Sequence, residues 1–125
     1  AGTLLEGVGM VHGHVWPSEL AMSGSALVMG HMHPSVLLRD SIGARTNEKC
    51  WVRARLKKRM VKERYEHCPR EVIVVPAFNP LLVGTPVNGG RGGPLGPVFR
   101  NGLVDERSTA AYLLDGTNLG RPAPV

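Results

Sequence analysis

Four of the five histidines in this 125-residue chain fall in two short clusters, His12 and His14 in "VHGHV" and His31 and His33 in "MGHMHP". Imidazole nitrogen is a ligand for zinc, manganese or iron at roughly 2.0 to 2.2 Å. A glycine beside the ligand in each cluster lets the backbone turn closely around an ion. In an extended segment residues i and i+2 point to the same side, so each pair can converge on one small volume. His67, beside Cys68 in a basic segment, carries no such pattern.

Two buried strands are expected to deliver the clusters. Residues 3–12 ("TLLEGVGMVH") are apolar residues interrupted by glycine and read as one strand with His12 at its carboxyl end. "PSELAM" reads as a short helical turn, with Pro17 at the first helical position and Gly24 at its exit. "SALVMGH" reads as a second strand ending in Gly-His. Strand, helix, strand with histidines at both strand ends is the way open α/β sheets present ligand groups. Downstream, "SVLLRD" and "KCWVRARL" flank the turn-rich "SIGARTNE" and predict a hairpin. "KKRMVKERYEHC" has no clean apolar face and reads either as an extension of the hairpin strand or as a short solvated helix. "EVIVVPAF" is a buried strand, and "TAAYLLDG" is the last strand before a Pro-rich tail. The Gly- and Pro-rich excursion between them, residues 79–97, is long for a compact domain and is expected to line a site or to lie against something else.

Composition bounds the class. The length suits one domain spanning residues 1–125, large enough to bury a core without metal or disulfide staples. No apolar run approaches the roughly 20 residues of a membrane span, and the opening residues lack the form of a secretory leader. Cys50 and Cys68 are too few and too far apart for a zinc knuckle or a redox pair, so they are expected to stay reduced, in a cytoplasmic setting. The net charge of +5 is concentrated: nine basic residues between Lys49 and Arg70 face two acids, Glu63 and Glu66. With Trp51 and Tyr65, this segment 49–70 is a candidate nucleic-acid contact, although such charge runs are usually solvated faces.

The two histidine motifs carry a resemblance. "GMVHGHVWPS" followed by "LVMGHMHPSVLLRDSIG" resembles the last two metal-binding motifs of the calcineurin-like metallophosphoesterase superfamily. "VIVVPAFNPLLVGTPVN" and "GPVFRNGLVDERSTAAYLLDGTNLG" resemble more narrowly its SbcD-related phosphoesterases, found mainly in archaea. The resemblance implies an α-β-β-α sandwich of two sheets flanked by helices, of which this α/β chain would be the strand-rich carboxyl-terminal half with one or two short helices. It also implies hydrolysis of phosphate esters at a dinuclear site of manganese, zinc or iron. By motif, His12 and His31 would be ligands to one metal and His33 to the other, while His14 would face the substrate as a catalytic residue. Asn79 and the "TPVN" residues could border the pocket. In such sites two ions roughly 3.5 to 4 Å apart lower the pKa of a bridging water and steady the phosphoryl group for in-line attack.

The chain also departs from the family. Asp-x-His, Gly-Asp-x-x-Asp and Gly-Asn-His-Asp/Glu elements, which supply the bridging aspartate and the catalytic histidine, do not occur in it, and Glu6 is the only acid before His12. Three neutral imidazoles without a bridging carboxylate cannot hold two divalent ions against water and mutual repulsion, so at most one ion is expected here. Weak or absent activity in the isolated chain is expected, as is a degenerate domain as the alternative. Apolar surface should be left uncovered, for self-association or for docking to an amino-terminal half that carries the carboxylates.

Overall fold

The computed structural model describes residues 1–81, 84–88 and 96–122. They form a mixed sheet of nine strands with three short helices, a strand-rich α/β fold. The stretch expected to be one strand over 3–12 is a hairpin of β1 (Thr3–Leu5) and β2 (Val8–Val11), in register Thr3↔Met10 and Leu5↔Val8. Its turn, Glu6 and Gly7, takes φ of 48° and 80°, the paired left-handed conformation whose twist matches that of antiparallel strands. The apolar pattern concealed this reversal because both arms are equally apolar.

After β2 the chain forms α1 (Glu19–Met22), capped by Ser18 Oγ, which accepts from the Ala21 amide at 3.2 Å. Pro17 thus stands just before the cap rather than at the first helical position. Strand β3 (Ala26–Met29) then pairs parallel to β2, in register from Val8↔Ala26 to Val11↔Met29. The helix lies directly on β2: a Cβ built on Gly9 would stand 1.9 Å from the Ala21 carbonyl oxygen. Ala21 and Met22 are fully buried in consequence. No side chain fits between this helix and this strand.

Strand β4 (Pro34–Arg39) turns through Asp40–Ala44 into β5 (Arg45–Arg55), which at eleven residues is the longest strand. The hairpin is as expected, but its turn is shorter than "SIGARTNE": Asp40 Oδ1 accepts from the Ile42 and Ala44 amides, and residues 45–48 already pair with β4. The far half of β5 runs antiparallel to both β6 (Glu71–Val74) and β8 (Ala110–Leu113). β6 in turn lies parallel to β3. A short β7 (Thr85–Pro86) adds to β4, and β9 (Asn118–Gly120), beyond the strand expected to be last, pairs with β8.

The ambiguous basic segment resolves as a helix, α2 (Lys58–Lys62), with Val61 buried. Beyond it Tyr65 is buried, its hydroxyl donating to the Pro17 carbonyl at 2.7 Å. The Arg64 guanidinium lies 3.6 Å from the centre of the Trp16 ring. A third helix, α3 (Pro97–Arg100), begins where the loop reading ended, with Pro97 fixing φ in its first turn. Among the described residues no helix is long and apolar enough to cross a membrane.

One face of the sheet is closed and the other is not. Leu27, Met29, Val52, Val72 and Val74 are fully buried in one core with Met22, Val61 and Val98. Their alternates on the opposite face, Val8, Val28, Ile73 and Trp51, are only half-buried, while Leu5 and Met10 stay 61% and 41% exposed. The parallel strands of α/β proteins are usually covered on both sides. Uncovered apolar surface was expected and is present here.

Both cysteines are free, and Cys50 is fully buried. Burial pushes its thiol up to about 11. At pH 8 Cys50 should therefore resist alkylation until the protein unfolds; modification of Cys50 in the native state would contradict this packing. Gly9→Ala should cost about 3 kcal/mol or more in urea unfolding, because backbone rather than a flexible side chain must yield. A near-neutral Gly9→Ala would show that α1 can lift off β2.

Candidate metal centre

The site grows from the parallel pairing of β2 and β3. Because Val11 lies beside Met29, the two chains leave the sheet together, with His12 following β2 and Gly30 following β3. Gly13 makes the approach tighter: its φ is 115°, and a Cβ there would meet the Gly30 carbonyl oxygen at 2.7 Å. The crossing of these two backbones places His12 and His14, which flank Gly13, against His31. Ring centroids lie 4.4 Å apart for His12 and His31, 5.0 Å for His12 and His14, and 5.4 Å for His14 and His31. His33 is 6.3 Å from His31.

All four imidazoles named from the sequence are thus brought together, with His31 touching each of the other three. The local geometry differs from the expected pleat. His31 and His33 lie in neither strand and take φ of 68° and 46°. This left-handed region is uncommon for residues other than glycine, and such strain gathers at functional sites. His12, His14 and His31 are exposed, and His33 is half-buried.

The described ends of the 79–97 excursion lie against the same loops. The Thr85 amide donates to the His33 carbonyl at 2.8 Å. Gly96 sits so close that a Cβ on it would be 2.4 Å from the Gly13 carbonyl oxygen. These described ends therefore border the histidines; residues 82–83 and 89–95 of the excursion lie outside the described residues. Thr85 and its neighbours border the cluster through the backbone, whereas Asn88 turns away and pairs with the backbone of Leu37. Asn79 is occupied locally, its Oδ1 accepting from the Leu81 amide and its carbonyl from Lys49 Nζ. His67 is exposed on the segment leading into β6, at the opposite end of the sheet.

The basic segment does not form one surface. Lys58, Arg59 and Lys62 ride on α2, Arg64 covers Trp16, and Arg53 and Arg55 project from β5 onto the open face of the sheet. There, two adjoining clefts of about 250 and 300 Å3 meet at Arg53 and Glu71. The sequence reading held Trp51, Arg53 and Arg55 within its basic segment but missed Tyr112 and the face they share; the signal for that face was the period of two in "WVRAR", which places Trp51, Arg53 and Arg55 on one side.

Comparison with family models, with curated proteins and with solved structures found no match.

The pKa of His31 is lowered, first by partial desolvation and then by His12, His14 and His33, and no carboxylate contributes. That shift favours the neutral form of His31, the form that can donate a lone pair. Glu6 sits in the β1–β2 turn, at the other end of β2 from His12. Among the described residues, no group of three or more His, Cys, Asp or Glu side chains is set in an ion-holding arrangement. The imidazoles are gathered but not aimed. Neutral imidazole suits a borderline-soft divalent ion as a donor type, but the rings as placed do not form such a set.

A lowered pKa means that the folded state binds a proton at His31 less readily than the unfolded chain does. This contribution to stability is intact above the unfolded pKa and is lost as the pH falls through the folded one. In an NMR titration the His31 ring should protonate at lower pH than a free imidazole, and His12→Gln should move its midpoint back up. A midpoint unaffected by His12→Gln would separate the two rings in solution.

Proposed function

We propose that this chain is part of a metal-dependent phosphoesterase, in which His12 and His31 hold one divalent ion, His33 reaches towards a second, and His14 faces the substrate. The observation carrying this reading is the convergence of all four imidazoles beyond the carboxyl ends of β2 and β3. When bound, the ion supplies a Lewis acid and a water of lowered pKa. The chain's own residues do the rest. Gly13 holds the loops close enough for the rings to meet, and His31 and His33 take a left-handed backbone as the chain leaves β3. His14, 5.0 Å from His12 and exposed, is placed to hold or pass a proton beside a bound phosphate.

The missing carboxylates limit what the isolated chain does. A second ion needs a bridging acid, and none acts on His31. In this reading the acids come from a complementary half that completes the two-sheet sandwich by covering the apolar part of the open face. These 125 residues alone should hold one ion and hydrolyse phosphate esters slowly or not at all.

Calorimetric titration with manganese or zinc at pH 7.5 should give one ion per chain. His31→Ala should weaken binding by at least about 10-fold, the lower bound for disturbing a ligand's surroundings. Affinity should also fall with pH as protons compete for the rings. Absence of binding, or stoichiometric binding indifferent to both His12→Ala and His31→Ala, would overturn the assignment.

A further inference from the structure

The open face of the sheet carries a second surface, which runs from Arg70 and Glu71 at the amino end of β6 along β5 to Trp51, two strands away from the histidine-bearing β3. Along β5, Cys50, Val52 and Ala54 enter the core while Trp51, Arg53 and Arg55 face outwards. Trp51 stands directly across from Tyr112 on β8, and Arg53 across from Ala110. The Arg53 guanidinium lies 5.9 Å from the centre of the Tyr112 ring. Two half-buried aromatic rings thus lie side by side on an uncovered sheet, with arginine against them.

The surroundings form a groove. One cleft is lined by Arg53, Arg55, Ser108, Ala110 and Tyr112, and the small residues Ser108 and Ala110 leave the Tyr112 ring accessible. The adjoining cleft reaches across β6 to Ser25, Ala26 and Arg70. Between them Arg53 Nη2 donates to both carboxylate oxygens of Glu71, at 3.0 and 2.8 Å. This ion pair is partly exposed and adds little to stability, but it fixes the direction of the guanidinium. Three arginines against one carboxylate leave the groove positive.

We infer that this groove, together with Trp51 beside it across from Tyr112, binds single-stranded nucleic acid, with bases stacked on the two rings and phosphates on Arg53, Arg55 and Arg70. Aromatic rings on an open sheet face accept any unstacked base, because every base has a π-face, and flanking arginines track the backbone. A duplex keeps its bases stacked inside and cannot use the rings. An acidic peptide would use the arginines but not the aromatic pair. This surface is independent of the imidazole cluster and of any metal.

Fluorescence anisotropy with labelled oligo-dT tests the inference. Trp51→Ala and Tyr112→Ala should each weaken binding about 5- to 100-fold, the span of one lost base stack. Tyr112→Phe should retain it. Three phosphate contacts predict a slope of about −2 in log affinity against log salt, made shallower by Arg55→Gln. Substituting Lys58 and Lys62 of α2 by Gln should change little, and chelator should change nothing. Tyr112→Phe and Arg55→Gln alter exposed or half-buried atoms only, so they keep the test decisive if an alanine variant fails to fold. The proposal is overturned by absence of binding at low salt, by equal affinity for a duplex or for polyglutamate, or by losses that follow the α2 lysines instead of the β5–β8 face.

Discussion

The constraint on which the site depends is the close parallel approach of β2 and β3 under α1. A parallel pair needs a crossover, and here it is α1 with short flanking segments between Val11 and Ala26. So short a connection must lie almost flat on the sheet, and it does so only because Gly9 has no side chain under Ala21. With the strands in register, their following loops have nowhere to diverge. Gly13 then lets the loops touch, and the imidazoles meet as a consequence of backbone packing rather than of attraction between the rings. Their mutual effect on His31 is repulsive whenever two of them are protonated, so the gathering is held in place by the sheet.

β5 is the second organising element. Its first half completes a hairpin with β4 and its second half is sandwiched between β6 and β8, so one strand ties the histidine-bearing segment to the carboxyl-terminal strands. The alternation of Cys50, Val52 and Ala54 inwards with Trp51, Arg53 and Arg55 outwards shows that one register serves both the core and the polar face. A shift by one residue would bury two arginines and expose the core, which pins the register strongly.

Much of this was legible in the sequence, and the failures have physical causes. The β2–α1–β3 unit was readable because each piece carries its own signal, a proline and serine before the helix and apolar runs ending at histidines. The convergence of His12, His14, His31 and His33 followed from that placement, but the reason first given for it, strand pleat, does not operate at His31 and His33. Their backbone is left-handed, and no local pattern announces that in a residue other than glycine or asparagine. The reversal at Glu6 and Gly7 was hidden because glycine recurs throughout the opening stretch. The charge run from Lys49 to Arg70 was read as one feature since a linear count ignores where the strand ends. The structure divides it at Leu56, where β5 gives way to α2.

The open face joins the two ends of the molecule and limits what can cover it. Its β1–β2–β3 side presents Leu5, Met10 and Val28, surface that gains from burial beneath another layer. Its β5–β8 side presents Arg53, Arg55 and the Arg53–Glu71 pair. Burying these beneath an apolar sheet would cost the desolvation of several charges, a penalty that their mutual attraction does not reliably offset. An opposing layer such as the proposed function calls for would therefore fit over the apolar side and stop short of β5. On that arrangement the imidazole cluster is completed from one side while Trp51 and Tyr112 remain in solvent. The same sheet then supports both surfaces without either covering the other.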